Sequence, residues 1–227
     1  MDLITFDTLR LISILTGILY LLVFVAGLLS IARAVDHPDY LTKAAQKSGQ
    51  VKRAALFQFL MAVFYLGIAL LLFPVLKIHN ETLALGFLGF RTLAALLVAA
   101  GTILLLILLR VSKKYAKHNS STTVNYKHAG DRLKAARDFV NHVAMIITLC
   151  ISSIMLYSVT LQSQLIPAWL SLWGIVGAAI AILASIFVWL KYVKINSPNY
   201  MLLNMPLALQ EYAFAIWLIW KGFETIL

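Results

Sequence analysis

Six times along its length this chain runs through about twenty or more residues with scarcely a charge, and each run is long enough to cross a hydrocarbon core of roughly 30 Å as an α-helix. The runs span residues 11–35, 54–76, 82–109, 139–161, 168–192 and 207–227. They are continuous and rich in Leu, Ala and Ile, whereas a membrane β-barrel would show segments of about ten residues with period-two alternation. The expected fold is therefore all-α: a polytopic membrane protein built as a six-transmembrane-helix bundle, one transmembrane domain over residues 1–227.

Composition supports water-poor surroundings. Only 12% of residues are charged, 62% are hydrophobic, and mean hydropathy is +0.89, against about a quarter charged in a soluble domain. The formal charge of +10 would suit nucleic acid, but the basic residues sit in the connections between apolar runs. Anionic lipid headgroups are the expected partner there, and nucleic acid is not. The single cysteine, Cys150, lies inside an apolar run and excludes an intramolecular disulfide.

The connections set an orientation. Lys77-Ile78-His79-Asn80-Glu81 joins the second and third runs as a tight hairpin, and Gln162-Ser163-Gln164 with Pro167 joins the fourth and fifth. Of nineteen Lys and Arg, fifteen fall in the first, third and fifth connections, and three, Arg10, Lys77 and Lys221, fall on the opposite side. Short basic loops stay cytoplasmic, so both termini are expected outside the cytoplasm. The third connection contains a polar linker, Asn119-Ser120-Ser121-Thr122-Thr123, and then a basic stretch from Lys127 to Arg137 that extends the fourth helix into the headgroups. The sixth helix is expected to start after Asn196-Ser197-Pro198-Asn199 and Pro206.

Two stretches carry a family likeness. One runs from Leu165-Ile166-Pro167-Ala168-Trp169 through Trp173-Gly174-Ile175-Val176-Gly177-Ala178. The other joins Met205-Pro206-Leu207-Ala208-Leu209-Gln210-Glu211 to Trp217-Leu218-Ile219-Trp220-Lys221-Gly222-Phe223. With the Phe90-Arg91 pair in the segment from Asn80 to Ala95, the chain resembles the prokaryotic multi-pass membrane family catalogued as domain of unknown function four-three-eight-six. The resemblance implies a six-helix protein of a prokaryotic plasma membrane. It implies no activity, substrate or cofactor.

An ionisable group within the hydrocarbon costs at least a few kcal/mol on insertion scales, so each one needs a partner or a purpose. Arg91 lies in the third run, Glu211 in the sixth, and His142 near the inner end of the fourth. Arg91 shares a helical stripe with Ala94, Ala95, Val98 and Thr102, and Glu211 shares one with Ala208, Ala215 and Gly222. Small residues allow close packing, and the fifth run offers Gly174, Gly177, Ala178, Ala181 and Ser185. The expectation is an Arg91–Glu211 ion pair against the fifth helix, with Glu211 roughly 6 to 10 Å above the inner surface. His142, beside Asn141 and one turn after Asp138, is either a proton carrier or a group that hydrogen-bonds a neighbouring helix or reaches the headgroups. Gln58 and Tyr65 on the second helix are expected to line the same interior or to bond between helices.

No HxxH, HxxxH or HExxH spacing suggests a metal, and no Walker loop, GxSxG elbow or dinucleotide fingerprint suggests a cofactor. Asn80-Glu81-Thr82-Leu83-Ala84-Leu85 and Asn204-Met205-Pro206-Leu207-Ala208-Leu209 hint at two inverted halves of three helices. The leading function is non-enzymatic: binding or moving a small or lipid-like molecule in a polar pocket among helices three to six. The alternatives are a structural or accessory subunit, and an intramembrane enzyme using His142 or Glu211 as acid or base, which requires those groups to meet at one cleft. Oligomeric state is left open by the sequence.

Overall fold

The structure, a computed structural model, describes residues 5–117, 123–195 and 197–224. It contains α1 (Phe6–Leu29), α2 (Arg33–Asp36), α3 (Tyr40–Gln46), α4 (Ser48–His79), α5 (Glu81–Tyr115), α6 (Thr123–Phe139), a π-helical turn (Val140–Ala144), α7 (Met145–Gln162), α8 (Ala168–Trp189) and α9 (Pro198–Trp220). Six helices are long and apolar enough to span a membrane: α1, α4, α5, the continuous rod Val124–Gln162, α8 and α9. The fold is the all-α, six-span bundle that the hydropathy pattern predicts.

Helix ends depart from the apolar runs because caps and prolines, rather than hydropathy, terminate helices. The first helix starts five residues before its apolar run, capped by the Thr5 hydroxyl accepting from the Thr8 N–H at 3.3 Å. It stops at Leu29, where the Ser30 hydroxyl turns back onto the Gly27 carbonyl at 2.7 Å. α4 and α5 extend well past residues 54–76 and 82–109, into polar sequence on the basic side. The largest correction concerns the sixth helix. It begins at Pro198, with the Ser197 hydroxyl accepting from the Tyr200 N–H at 3.3 Å, and runs through Pro206 instead of starting there. Proline suits the first helical turn because its missing N–H lies among the orphans anyway. Gly222 falls beyond this helix, at φ +82°. Residues 225–227 of the sixth run and Asn119, Ser120, Ser121 and Thr122 of the polar linker lie outside the described residues.

In space the spans form a ring. Going round, α1 packs on α4, α4 on α5, α5 on α7, α7 on α8, α8 on α9, and α9 closes on α1. Without a hydrophobic drive between helices in lipid, such contacts need small residues that let backbones approach. A Cβ at Gly17 of α1 would stand 2.7 Å from the Ala215 carbonyl oxygen of α9, one at Gly177 of α8 would stand 3.0 Å from the Leu207 Cα, and one at Gly174 would enter the Tyr157 ring. The small face of α8 therefore lies inside the bundle, packed against α7 and α9. The ring is also tied at its seam. Arg10 donates to the carbonyls of Leu218 at 3.3 Å, Ile219 at 2.8 Å and Trp220 at 3.1 Å, satisfying the orphaned C-terminal acceptors of α9 with a cation at the negative end of its dipole.

On the basic side the long helices project beyond a core of roughly 30 Å: α5, with 35 residues, is about 52 Å long. There α2 and α3 bury Val35, Leu41 and Ala44 against Leu105 and Leu108 of α5. The Tyr40 hydroxyl donates to the Asp131 carboxylate of α6 at 2.7 Å, and burial with that neighbouring carboxylate pushes the phenol pKa upward. As expected, the stretch from Lys127 to Arg137 is helical and continuous with the fourth span. Trp169, Trp189 and Trp220 lie exposed at helix ends, where an aromatic belt meets the interface.

Adding one methyl group tests this packing. Gly174→Ala is expected to cost about 1–3 kcal/mol, because the Tyr157 ring it strikes is fully buried. Gly89→Ala, with open space around it, is expected to leave stability unchanged. Thermal unfolding in detergent, followed by circular dichroism, checks both. Equal melting temperatures for the two variants would contradict the close α7–α8 contact.

Candidate functional site

The deepest feature of the ring is a buried charge. Arg91 sits on the core-facing stripe of α5 with Ala94, Ala95, Val98 and Thr102, all buried, and is itself 0% exposed. Counting about 1.5 Å per residue from the hairpin-side helix ends puts Arg91 about 15 Å deep on α5 and Glu211 about 13 Å deep on α9. Both are near the middle of the bilayer. The expected depth for Glu211, 6 to 10 Å above the inner surface, was too shallow because α9 begins at Pro198, a full thirteen residues before it.

Groups from three helices surround Arg91, but only one of its nitrogens is hydrogen-bonded: Nε and Nη1 are buried with no partner among the described residues. One guanidinium nitrogen donates to the Tyr20 hydroxyl of α1 at 3.3 Å and to the Ser153 hydroxyl of α7 at 3.2 Å. Its central carbon stands 5.9 Å from the Tyr20 ring centroid, 5.8 Å from that of Tyr65 and 5.4 Å from that of Phe87. Aromatic faces carry negative potential, so the three rings stabilise a desolvated cation. Below them, Phe214 meets Tyr20 edge-on at 5.4 Å and Tyr157 at 5.6 Å, filling the axis of the ring.

The expected ion pair does not close: among the described residues Arg91 forms no salt bridge with Glu211. Hydroxyls occupy the guanidinium nitrogen instead, and the charges act on each other through space. Nor does the cluster rest against α8. Its direct partners come from α1, α4 and α7, while the small face of α8 turns to Tyr157 and Leu207.

Glu211 faces a different environment. The residue is half-buried, its Oε1 is covered, and that atom has no hydrogen-bond partner among the described residues. It lines a cavity of about 240 Å³ between α1, α4 and α9, together with Tyr20, Phe24, Gly27, Met61, Tyr65 and Tyr212. At the rim Phe24, Leu28 and Tyr212 are 47%, 57% and 46% exposed, on helices embedded in lipid. The cavity thus lies among the first, second and sixth spans, a correction to the pocket expected among helices three to six.

The other expected site residues divide. Tyr65 lines the cavity and covers Arg91. Gln58 bonds between helices, its Oε1 accepting from the Thr102 hydroxyl of α5 at 3.5 Å. His142 lies elsewhere. It sits in the π-helical turn with its ring 6.0 Å from that of Tyr200, whose hydroxyl donates to the His142 carbonyl at 3.4 Å. Tyr200 precedes Glu211 by eleven residues on α9, about 16 Å, so His142 and Glu211 do not share the cleft that acid–base catalysis would need. The π turn itself follows a close approach, since a Cβ at Gly101 of α5 would collide with the Asn141 amide. The two copies of the pattern that hinted at inverted halves take different local roles. Asn80 caps α5, accepting from the Leu83 N–H at 3.0 Å, whereas Asn204 lies inside α9 and donates to the Tyr200 carbonyl at 2.9 Å. No group of three or more His, Cys, Asp or Glu able to hold a metal occurs among the described residues.

Sequence inspection missed Tyr20, Ser153, Phe24, Gly27 and Tyr212. Depth was the available signal for two of them: Tyr20 and Ser153 are polar residues in mid-run, level with Arg91.

Fold and site define an all-α polytopic membrane protein with a buried arginine and a half-buried glutamate at similar depth in the spans, and a cavity beside the glutamate. Over residues 15–222 the chain matches the family model described as Domain of unknown function (DUF4386), and it belongs to that family. No curated protein and no solved structure matches it.

The two charges differ in what their loss leaves behind. A carboxylate stranded by Arg91→Met neutralises itself by taking up a proton, whereas a guanidinium stranded by Glu211→Gln keeps its charge. Glu211→Gln is therefore expected to be the more destabilising, by about 3–5 kcal/mol, and the double variant to recover at least half of that loss. A double-mutant cycle on melting in detergent checks it. Additive losses would show that the charges are independent.

Proposed function

We propose that this protein binds part of a lipid-like molecule in the cavity between α1, α4 and α9, with Glu211 as the polar anchor. The observation that carries the proposal is a half-buried carboxyl group, Glu211, on the wall of a cavity lined mostly by apolar and aromatic side chains, its covered Oε1 without a hydrogen-bond partner. A carboxyl group in such surroundings is costly, about 1–3 kcal/mol for an unpartnered buried polar atom, and a polar group of a ligand beside it lowers that cost. Size favours an amphiphile. At about 240 Å³ the cavity is smaller than the roughly 300–1,000 Å³ of pockets that enclose whole small molecules. It suits a headgroup whose chain continues along the exposed Phe24 and Leu28 into the bilayer.

Arg91, which is not among the residues lining the cavity, ties α5 to α1 and α7 through Tyr20 and Ser153. Transport is the weaker form of this proposal, since Phe87, Tyr157 and Phe214 fill the axis of the ring. The same proposal places the protein in a prokaryotic plasma membrane, with both termini outside the cytoplasm and the basic connections on anionic headgroups.

Gly27→Leu tests the cavity without touching the charges. A Cβ there meets only the Met61 Sδ, at 3.9 Å, so the longer side chain has room to enter. Native mass spectrometry of protein released from native-membrane vesicles is expected to show a retained lipid on the wild type and none on Gly27→Leu, at equal melting temperature. Equal retention by both would overturn the proposal.

A further inference from the structure

Resting on that proposed site, we infer that its occupant lies inverted in the bilayer, polar group beside Glu211 and chain toward the basic side, and is a lipid whose only polar group is small and uncharged. The first ground is the shape of the cavity. Clearance around α1 grows from one end to the other. Near the hairpin side a Cβ at Gly17 would stand 2.7 Å from the Ala215 carbonyl oxygen of α9, and one at Gly67 of α4 would stand 3.0 Å from the Leu19 Cδ1 of α1. Toward the basic side, one at Gly27 meets only the Met61 Sδ, at 3.9 Å. The Arg10 fork pins the tight end to α9. The lining follows the same gradient. From Tyr20 to Leu28 it runs about 12 Å along α1 toward the basic side, and Met61 lies one turn beyond Tyr65, and Ala208 nearly one turn beyond Glu211, in that direction. The cavity is therefore a wedge, closed beside Glu211 and open past the exposed Phe24 and Leu28 into the leaflet of the basic connections.

A lipid of that leaflet in its ordinary orientation would enter chain first. It would bring a methyl terminus to a carboxyl group, and a polar group enclosed by apolar surroundings without a partner is costly. Inversion brings the polar group to Glu211 and lays the chain along Phe24 and Leu28. That polar group then sits about 13 Å deep, where an ionic headgroup is expensive unless the site supplies a countercharge. For a phosphate or other anion it supplies none. No Lys, Arg or His is among the described residues that line the cavity, and the unpartnered Nε and Nη1 of Arg91 are buried outside that lining. For a cation the wall is already in use. Tyr20 and Tyr65 line the cavity with ring centroids 5.9 Å and 5.8 Å from the Arg91 guanidinium carbon, so a ligand cation on either ring would meet like charge. An alcohol, a carbonyl or a carboxylic acid in its neutral form avoids both costs. This class also serves Glu211 in either protonation form, since a carboxylate accepts from an O–H and a neutral carboxyl group also donates to a carbonyl.

The experiment uses three probes with one decyl chain, each carrying a photoreactive diazirine at the chain end and a hydroxyl, phosphocholine or trimethylammonium group at the other. Each is added at equal, low mole fraction to phosphatidylcholine vesicles holding the full chain, as wild type and as Gly27→Leu. Labelled residues are mapped by peptide mass spectrometry. The hydroxyl probe is expected to label the segment from Phe24 to Leu29 about tenfold more than the two charged probes, a factor within the insertion cost of one charge. That labelling is expected to vanish in Gly27→Leu, whose side chain fills the open end of the wedge. Labelling lost in Gly27→Leu that is as strong with a charged probe, or that falls on Tyr20 and Tyr65 instead, would overturn the inverted, uncharged occupant and leave the cavity as a lipid site. Labelling by all three probes that is indifferent to Gly27→Leu would overturn the proposed site, and this inference with it.

Discussion

A guanidinium cannot shed its proton at any accessible pH, and in the middle of a bilayer it cannot reach water. Arg91 therefore has to be stabilised by the protein, and the bundle gathers groups around it, although its Nε and Nη1 are buried without a hydrogen-bond partner among the described residues. Hydroxyls come from Tyr20 on α1 and Ser153 on α7, π faces from α1, α4 and α5 itself, and a balancing carboxylate from α9. Five of the six spans are thus drawn to one point. A ring is the arrangement that brings them there with short connections, and its seam must hold. The Arg10 fork on the last carbonyls of α9 and the close Gly17–Ala215 approach supply that closure.

The same demand separates the roles of the two buried charges. The group whose charge is fixed sits fully enclosed, where its surroundings do not vary. Its carboxylate counterpart, which can accept a proton when its environment changes, stands at a cavity wall. The reverse placement would expose a permanent cation to hydrocarbon whenever the cavity emptied. Two hydroxyls hold one guanidinium nitrogen and three rings lie around the group, while Nε and Nη1 of Arg91 and the covered Oε1 of Glu211 are left without hydrogen-bond partners among the described residues.

Hydropathy alone revealed the number of spans, the two hairpins and the deep position of Arg91, because each follows from solvent quality along the chain. Where helices end was less legible. Ser30 and Ser197 terminate or begin helices through side-chain hydrogen bonds that a hydropathy window averages away, and the nine extra residues at the start of α9 moved Glu211 from near the surface to mid-bilayer. Which helices meet was less legible still. Small-residue spacing identified the buried face of α8, but spacing carries no partner, and the expected Arg91–Glu211 contact against α8 gave way to hydroxyls from α1 and α7. The pairing of α1 with α9 follows from ring closure, which no local pattern encodes. Hence the cavity that this pairing creates was expected among the wrong helices.

Ring closure also bears on what the site is able to do. Passage along the axis would have to displace Phe87, Tyr157 and Phe214, each fully buried, and pull Tyr20 and Ser153 from Arg91. Opening of that kind strands a permanent charge in hydrocarbon, the most expensive event available to this bundle. Access from the side requires none of it. Phe24, Leu28 and Tyr212 already face the lipid at the rim, and Gly27 leaves room between α1 and Met61 of α4. The least costly motion beside Glu211 is therefore exchange with the surrounding bilayer, and this weighs toward a protein that holds a membrane constituent over one that conducts a solute across.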